Sequence, residues 1–99
     1  MKIILKKPNE KPELQEIKND IRAIQKILGG FAECLILSEE CVALVNDEGK
    51  LKNLPYNCNI LGYRIFGPVI LVGYLGTEFA DVPEKYIDRF IREGKRFAL

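Results

Sequence analysis

Hydrogen-bonding side chains concentrate in the middle of the chain, in the turn at 46–50 and in the segment at 53–64. The second segment also contains proline and glycine. Packing in such an irregular segment requires few specific side chains. Its amides could hydrogen-bond a polar ligand, and its tyrosines could stack on a base, which contributes about 1–3 kcal/mol per base. Lys50 could contact a phosphate, and Glu33 could accept hydrogen bonds from ribose hydroxyls. We therefore predict a ligand-binding site composed of Glu33, Asn46, Glu48, Lys50, Tyr56, Asn57, Asn59 and Tyr63.

The asparagines of this predicted site also have a purely structural interpretation. Asparagine side chains hydrogen-bond to nearby backbone groups and are common in turns. Asn46 and Asn57 could therefore serve turn geometry, and the loop around them would then cover a sheet edge and bind nothing. Both interpretations remain open at the level of sequence.

Catalysis is not expected, because the residue types that most enzymes use are scarce. The chain has no histidine, one serine (Ser38) and one threonine (Thr77), and hydroxyl nucleophiles need an adjacent base. Carboxylates alone can perform acid–base chemistry, as they do in glycosidases, so a hydrolase that uses Glu33, Asp47 and Glu48 is the alternative. We predict no catalytic residue and treat these carboxylates as solvated.

The three cysteines, Cys34, Cys41 and Cys58, predict structural thiols. Their number is odd and they form no C-x-x-C pair, which argues against a disulfide framework and against zinc. Free cysteine is among the most buried residue types. We expect reduced thiols, with Cys34 and Cys41 largely buried, and no metal and no cofactor.

The charge balance sets limits on partners. Fifteen basic and fourteen acidic residues give a net charge of +1, so nucleic acid is not an expected partner. The basic run Arg89, Arg92, Lys95 and Arg96 is predicted to be the solvated face of a helix, with a patch that binds an anion or nucleic acid as the alternative. No apolar run reaches the length of a secretion signal or of a membrane helix. We expect a single domain over residues 1–99 that has no membrane contact and lies in the cytoplasm.

The apolar pattern predicts an α/β (α+β) fold. Its predicted form is a single mixed, mainly antiparallel sheet of four to five strands with two helices. One helix begins at Asn19–Asp20 and ends at Gly29, and the other is capped by Asp81 and ends at Gly94. A hairpin loop is expected at 46–49 and irregular chain at 50–68. The predicted strands are 2–7, 13–18, 31–37, 41–46 and 69–75, of which the last three are expected at the centre.

The first three quarters of the chain carry short motifs in a fixed order. They are Gly29-Gly30-Phe31-Ala32-Glu33, Asn46-Asp47-Glu48-Gly49-Lys50, Leu54-Pro55-Tyr56-Asn57 and Val69-Ile70-Leu71-Val72-Gly73. In the order and spacing of these motifs, residues 1–75 resemble a family of small proteins from bacteriophages, plasmids and Gram-positive mobile elements whose function is unknown. The chain departs from the family at Asp47, where glutamate is commoner, and in its long C-terminal helix. The resemblance implies a mobile-element setting and a compact mixed α/β fold, and it implies no reaction.

These observations together predict a non-catalytic binding protein of a phage or mobile element. It would sequester a small polar ligand, such as a signalling nucleotide, in the cytoplasm of a bacterial host and so act against host defence. A regulator or inhibitor that binds a host protein is the main alternative, beside the carboxylate hydrolase and an assembly protein without a ligand. The high content of valine, isoleucine and leucine is compatible with a homo-oligomer.

Overall fold

The computed structural model describes all 99 residues and shows eight β-strands and two helical segments. Helix α1 spans Ile21–Leu28, and α2 spans Glu84–Ile87 and continues as a π-helical turn at Asp88–Arg92. The strands are β1 (Lys2–Lys6), β2 (Glu13–Glu16), β3 (Ala32–Ile36), β4 (Cys41–Asn46), β5 (Tyr56–Ile60), β6 (Tyr63–Phe66), β7 (Val69–Leu75) and β8 (Glu78–Ala80).

A six-stranded sheet forms the body of the molecule, in the order β2-β1-β7-β4-β3. The sixth strand, β8, lies on the same side of β7 as β1. It pairs with residues 73–75 of β7, whereas β1 pairs with residues 69–71. Every pairing is antiparallel. The predicted fold class is confirmed, although the sheet has more strands than the four to five expected and a second, two-stranded sheet is formed by β5 and β6.

The two faces of the sheet carry two separate apolar clusters, because side chains alternate along each strand. On β7, Ile70 and Val72 point to the face that α1 covers with Ile24 and Leu28. The neighbouring residues of β7 point to the opposite face, where the β5–β6 hairpin and the C-terminal helix pack. All six residues of β4 are buried, as are the first five of β7, which confirms the prediction that these two strands are central.

Helix α1 begins and ends where the sequence predicts. The Asp20 carboxylate accepts hydrogen bonds from the backbone N–H groups of Arg22 at 2.7 Å and Ala23 at 3.2 Å. Two donors that the first turn would otherwise leave free are thereby satisfied. At the other end Gly29 adopts the left-handed conformation, with φ of 79°, which a side chain would disfavour.

The segment predicted to be irregular, 50–68, contains the β5–β6 hairpin. Its strands are joined by a two-residue turn, Leu61-Gly62, in which both φ angles are positive, 51° and 83°. That is the backbone of a type I′ turn, which normally carries asparagine or glycine at both positions. The predicted hairpin loop at 46–49 is wrong, because β4 pairs with β3 and β7 and not with β5.

The strand predicted at 31–37 is not central, since β3 lies at the edge of the sheet. Leu35 is half-buried and packs on the face opposite α1. Cys34 and Ile36 lie on the α1 face, beyond the part that α1 covers, and are exposed. The prediction that Cys34 is largely buried is therefore wrong. An apolar strand sequence does not distinguish an edge strand from a central strand, because exposure at the edge depends on how far α1 reaches across the sheet.

The predicted cap of the C-terminal helix is also wrong. The Asp81 carboxylate accepts a hydrogen bond from the backbone N–H of Lys2 at 2.8 Å and ties the end of β8 to the start of β1. The helix begins after Pro83 with no side-chain cap. The chain passes so close to β7 here that a Cβ atom at Gly73 would overlap the carbonyl oxygen of Asp81, which explains the glycine near the end of this strand.

Candidate functional site

The largest concave surface of the molecule is a groove between three segments: the 9–12 turn that joins β1 to β2, strand β5, and the chain at 94–99. It consists of two adjoining clefts of about 420 and 570 Å³ that share Lys6, Asn57, Arg96 and Phe97. Ligand sites commonly measure about 300–1,000 Å³. We call the two clefts together the basic groove.

Asn57 holds the floor of the basic groove together. Its amide nitrogen donates to the carbonyl oxygens of Lys6 and Gly67, both at 2.8 Å. Its amide oxygen accepts from the Lys6 ammonium at 3.0 Å. A half-buried side chain of the hairpin thus fixes both the backbone of β1 and the position of a positive charge.

Positive charge dominates the basic groove. Lys6, Lys11, Lys95 and Arg96 line it, and Glu10 supplies the only carboxylate side chain. Only Lys95 forms an ion pair, with Glu93 at 3.4 Å, outside the lining. The other three cations have no carboxylate within ion-pair distance. A chain of net charge +1 therefore has a local excess of positive charge here, which attracts anions.

An aromatic and amide wall closes one end of the basic groove. The Tyr56 side chain is 45% exposed, and its hydroxyl donates to the Asn59 amide oxygen at 2.8 Å. Phe97 packs on Phe90, with ring centroids 4.8 Å apart, and lines the same cleft. This wall offers a ring for stacking and an amide nitrogen that makes no hydrogen bond within the chain.

The remaining predicted site residues lie elsewhere. Glu33, Asn46 and Lys50 line a separate cleft of about 120 Å³, together with Asp47 and Arg64. The exposed side chains of Glu48 and Tyr63 line neither this cleft nor the basic groove. The structure therefore places three of the eight predicted residues, Tyr56, Asn57 and Asn59, in the basic groove, three in the smaller cleft and two in neither.

Asn46 fits its structural interpretation. The side chain is only 6% exposed. Its nitrogen donates to the Leu28 carbonyl at the end of α1 at 2.9 Å, and its oxygen accepts from the Glu48 backbone N–H at 2.8 Å. The amide nitrogen and the amide oxygen are both engaged within the chain, at the end of α1 and in the turn, so the side chain has little hydrogen-bonding capacity left for a ligand.

Two sequence features carry the groove cations, and neither was included in the predicted ligand-binding site. The basic run near the C-terminus includes Lys95 and Arg96, and the end of β1 carries Lys6. The structure divides the basic run: Arg92 pairs with Glu84 and Asp88 on the helix, whereas Arg96 lies beyond the helix and faces the groove. Only the fold brings residues 6 and 96 together.

The cysteines are not positioned for nucleophilic chemistry. None of the three forms a disulfide, and Cys41 and Cys58 are buried. Burial raises the pKa of the Cys41 thiol from 9.0 to about 11, and it also raises the pKa of Cys58, whose chain segment lines the basic groove. These thiols are neutral at physiological pH, and a neutral thiol is a poor nucleophile. No group of three or more histidine, cysteine or carboxylate residues could hold a metal ion.

The fold and the groove define a class: an antiparallel α+β domain with a basic surface groove. A family model described as a domain of unknown function (DUF3846) matches residues 1–95, and the chain belongs to that family. No curated protein and no solved structure matches the chain significantly. None of the helices is long and apolar enough to cross a membrane.

Proposed function

We propose that the protein binds a small phosphorylated ligand of the nucleotide class in the basic groove and holds it without converting it. One observation carries the proposal: Lys6, Lys11 and Arg96 converge on a groove of suitable volume, and none has a carboxylate partner. Cations that are close together and unpaired repel one another, and an anionic ligand would remove that repulsion.

Lys6 is suited to a phosphate because its position is fixed before the ligand arrives. Its ammonium donates to the Asn57 amide oxygen at 3.0 Å and to the Lys7 carbonyl oxygen at 2.8 Å. An ammonium has three protons, so one remains for the ligand. Because the lysine is already ordered, binding costs less side-chain entropy than it would with a free lysine.

The wall formed by Tyr56, Asn59 and Phe97 suits the base of the same ligand. An exposed tyrosine ring can stack on a base, and the free Asn59 amide nitrogen can donate to a ring nitrogen or carbonyl. With the base at this wall, phosphates would extend along Lys6 and Arg96 toward Lys11 in the adjoining cleft. This arrangement supports a nucleotide over a simple inorganic anion.

The composition of the groove supports sequestration over catalysis. Neither cleft contains a histidine, serine or threonine, and the single carboxylate side chain, Glu10, has no second carboxylate beside it in the lining. Two of the three carboxylates of the hydrolase alternative, Glu33 and Asp47, line the much smaller cleft of about 120 Å³, and the third, Glu48, lines neither this cleft nor the basic groove. A bound nucleotide would therefore leave the groove chemically unchanged.

Sequestration of a signalling nucleotide would suit a bacteriophage or other mobile element, acting against host defence in the bacterial cytoplasm. The motif pattern from Gly29-Gly30 to Gly73 supports this setting through its resemblance to proteins of mobile elements. A survey of the genes that flank family members tests it. Phage or plasmid genes are expected on both sides, and housekeeping operons would contradict the setting.

Calorimetric titration tests the binding. The probes are nucleoside monophosphates, cyclic dinucleotides and the corresponding nucleosides without phosphate. We expect at least one phosphorylated probe to bind with an affinity that falls as salt rises, and the matching nucleoside to bind at least tenfold more weakly. Mass spectrometry of the ligand recovered after denaturation is expected to find it intact.

Two arginine variants make the test specific to the groove. Arg96→Gln removes a groove cation and is expected to weaken nucleotide binding at least tenfold. The matched control Arg22→Gln removes an exposed arginine on α1, across the sheet, and is expected to change nothing. Equal effects of the two variants, or binding of no phosphorylated probe, would contradict the proposal. A hydrolysed probe would instead favour the carboxylate hydrolase.

A further inference from the structure

Strand β3 leaves a row of backbone groups without partners. The Phe31 carbonyl accepts from the Asp47 N–H at 2.9 Å, and the Leu37 N–H donates to the Cys41 carbonyl at 3.0 Å. Hydrogen-bonded pairs alternate along an antiparallel ladder. Residues 33 and 35 therefore belong to the set that bonds to β4, whereas residues 32, 34 and 36 direct their N–H and C=O groups outward.

Apolar side chains accompany this open edge. Phe31 and Ile36 are each 70% exposed, and Cys34 between them is exposed as well. Cys34 and Ile36 share the α1 face but lie beyond the reach of α1, whose buried residues cover β4 and β7. An exposed apolar edge strand without lysine or proline is a template for pairing with another strand.

The opposite edge of the sheet has a different composition. Strand β2 carries Glu13 and Glu16, both exposed. If β2 paired with a second β2 about its midpoint, each glutamate would face a glutamate of the other copy. Like charges directly opposite one another are unfavourable. The β2 edge is thus protected against self-pairing, and the β3 edge is not.

We propose that β3 pairs with β3 of a second copy of this chain, antiparallel about a two-fold axis at Cys34. In this register Cys34 faces Cys34 of the partner, and Ala32 faces the partner's Ile36, so a small side chain meets a large one. All the facing residues in these pairs belong to the outward-directed set. Glu33 faces the partner's Leu35, and no like charges oppose each other along the strand.

Charges at the ends of the strand also match in this register. The acidic turn at Glu39–Glu40 of one copy approaches Gly30 of the other. The Lys52 ammonium lies against Gly30 and has no carboxylate partner within its own chain. Opposite charges therefore meet at both ends of the proposed interface.

A second copy fits better than an open-ended chain of copies. Pairing β3 with β3 uses the same edge on both molecules, so the interface is closed after two copies. Pairing β3 with β2 would leave one free edge on each side and would continue into a filament. No side chain of the basic groove takes part, so this proposal is independent of the proposed ligand.

The oligomeric state of the whole chain provides the first test. Light scattering on the purified protein is expected to give twice the mass of one chain. Cys34→Lys would place two ammonium groups opposite each other at the two-fold axis and is expected to give a monomer with an unchanged circular-dichroism spectrum. Leu14→Lys, at an exposed position of β2, is the matched control and is expected to remain dimeric.

A cross-linking measurement on the unaltered chain is independent of any variant. Facing residues of a hydrogen-bonded antiparallel pair have Cα atoms about 5.5 Å apart, within the range that a disulfide spans. Mild oxidation is expected to join Cys34 to the partner's Cys34 and to leave the buried Cys41 and Cys58 unmodified. A monomeric wild-type protein would overturn the proposal, as would a dimer that survives Cys34→Lys or that is not cross-linked through residue 34.

Discussion

Two asparagines, Asn46 and Asn57, form similar hydrogen bonds in different surroundings. Each uses its amide nitrogen to bind a carbonyl from a distant part of the chain, Leu28 in one case and both Lys6 and Gly67 in the other. Asn46 is buried and its oxygen accepts from a backbone N–H. Asn57 is half-buried, and its oxygen accepts from an ammonium that lines a groove.

The comparison distinguishes an amide that only stabilises the fold from one that also positions a charged side chain in a surface groove. The residue type is the same, and both side chains bridge segments that are far apart in sequence. The difference lies in the donor to the amide oxygen. For Asn46 this donor is a backbone N–H, and for Asn57 it is the ammonium of a lysine. A candidate site is therefore marked by the cation that the asparagine orients, and the asparagine alone is not sufficient evidence.

Replacing the buried asparagine is expected to have the largest effect. Asn46→Ala leaves the Leu28 carbonyl and the Glu48 N–H without their partner and is expected to lower the free energy of unfolding by about 3 kcal/mol. Chemical denaturation measures the loss. The control Asn59→Ala, at an exposed position, is expected to change stability by less than about 0.5 kcal/mol. An Asn46 variant as stable as the control would refute the structural role.

Asn57→Ala is expected to affect both stability and binding. Loss of three half-buried hydrogen bonds is expected to lower the free energy of unfolding by about 2 kcal/mol, less than for Asn46 because water can reach part of the site. Nucleotide affinity is expected to fall as well, since Lys6 loses the acceptor that orients it. If stability falls and affinity does not, Asn57 belongs with Asn46 as a purely structural residue.

A pair of lysine variants compares the two clefts directly. Lys6→Gln is expected to reduce nucleotide affinity about tenfold, a loss of about 1.4 kcal/mol. Lys50→Gln, in the small cleft beside Asn46, is expected to leave affinity unchanged. The reverse result would move the binding site to the 46–50 turn that the sequence first indicated.

The buried Cys41 thiol also predicts a dependence of stability on pH. Burial raises the pKa of Cys41 from 9.0 to about 11, so the folded state holds this proton over a pH range in which the unfolded chain has released it. Its contribution to stability is complete below about pH 9 and is lost as pH rises to about 11. Denaturation curves of Cys41→Ala are expected to show a shallower decline over this range than those of the wild-type chain.

The sequence predicts the centre of this fold better than its margins. β4 and β7 are almost wholly apolar, and a strand buried on both faces has that composition. β3 is also apolar, at Cys34, Leu35 and Ile36, yet it lies at the edge of the sheet. Burial of its α1 face depends on how far α1 extends. Sequence periodicity reports which residues prefer to be buried, and only packing decides which of them are.

The turn explains why the β5–β6 hairpin could not be predicted from the sequence. Residues at both turn positions adopt positive φ, and Leu61 occupies the first of them at 51°. Leucine is not a typical turn residue, so the sequence predicts no hairpin here, although Cys58 and Ile60 are buried and alternate with less buried neighbours. The basic groove depends on this hairpin, since Tyr56, Asn57 and Asn59 all lie on β5. Because the turn could not be predicted, the assembly of the basic groove could not be predicted either.

The position of β7 in the sheet has a consequence for synthesis on the ribosome. β7 lies between β1 and β4, pairing Leu71 with Ile4 on one side and with Ala43 on the other. The two earlier hairpins, β1–β2 and β3–β4, therefore have no strand to join them until residue 75 has left the exit tunnel. Contacts between residues so far apart in sequence form slowly. The nascent chain must therefore keep two apolar hairpins apart until β7 emerges, and the sheet acquires its stability only when β7 joins them.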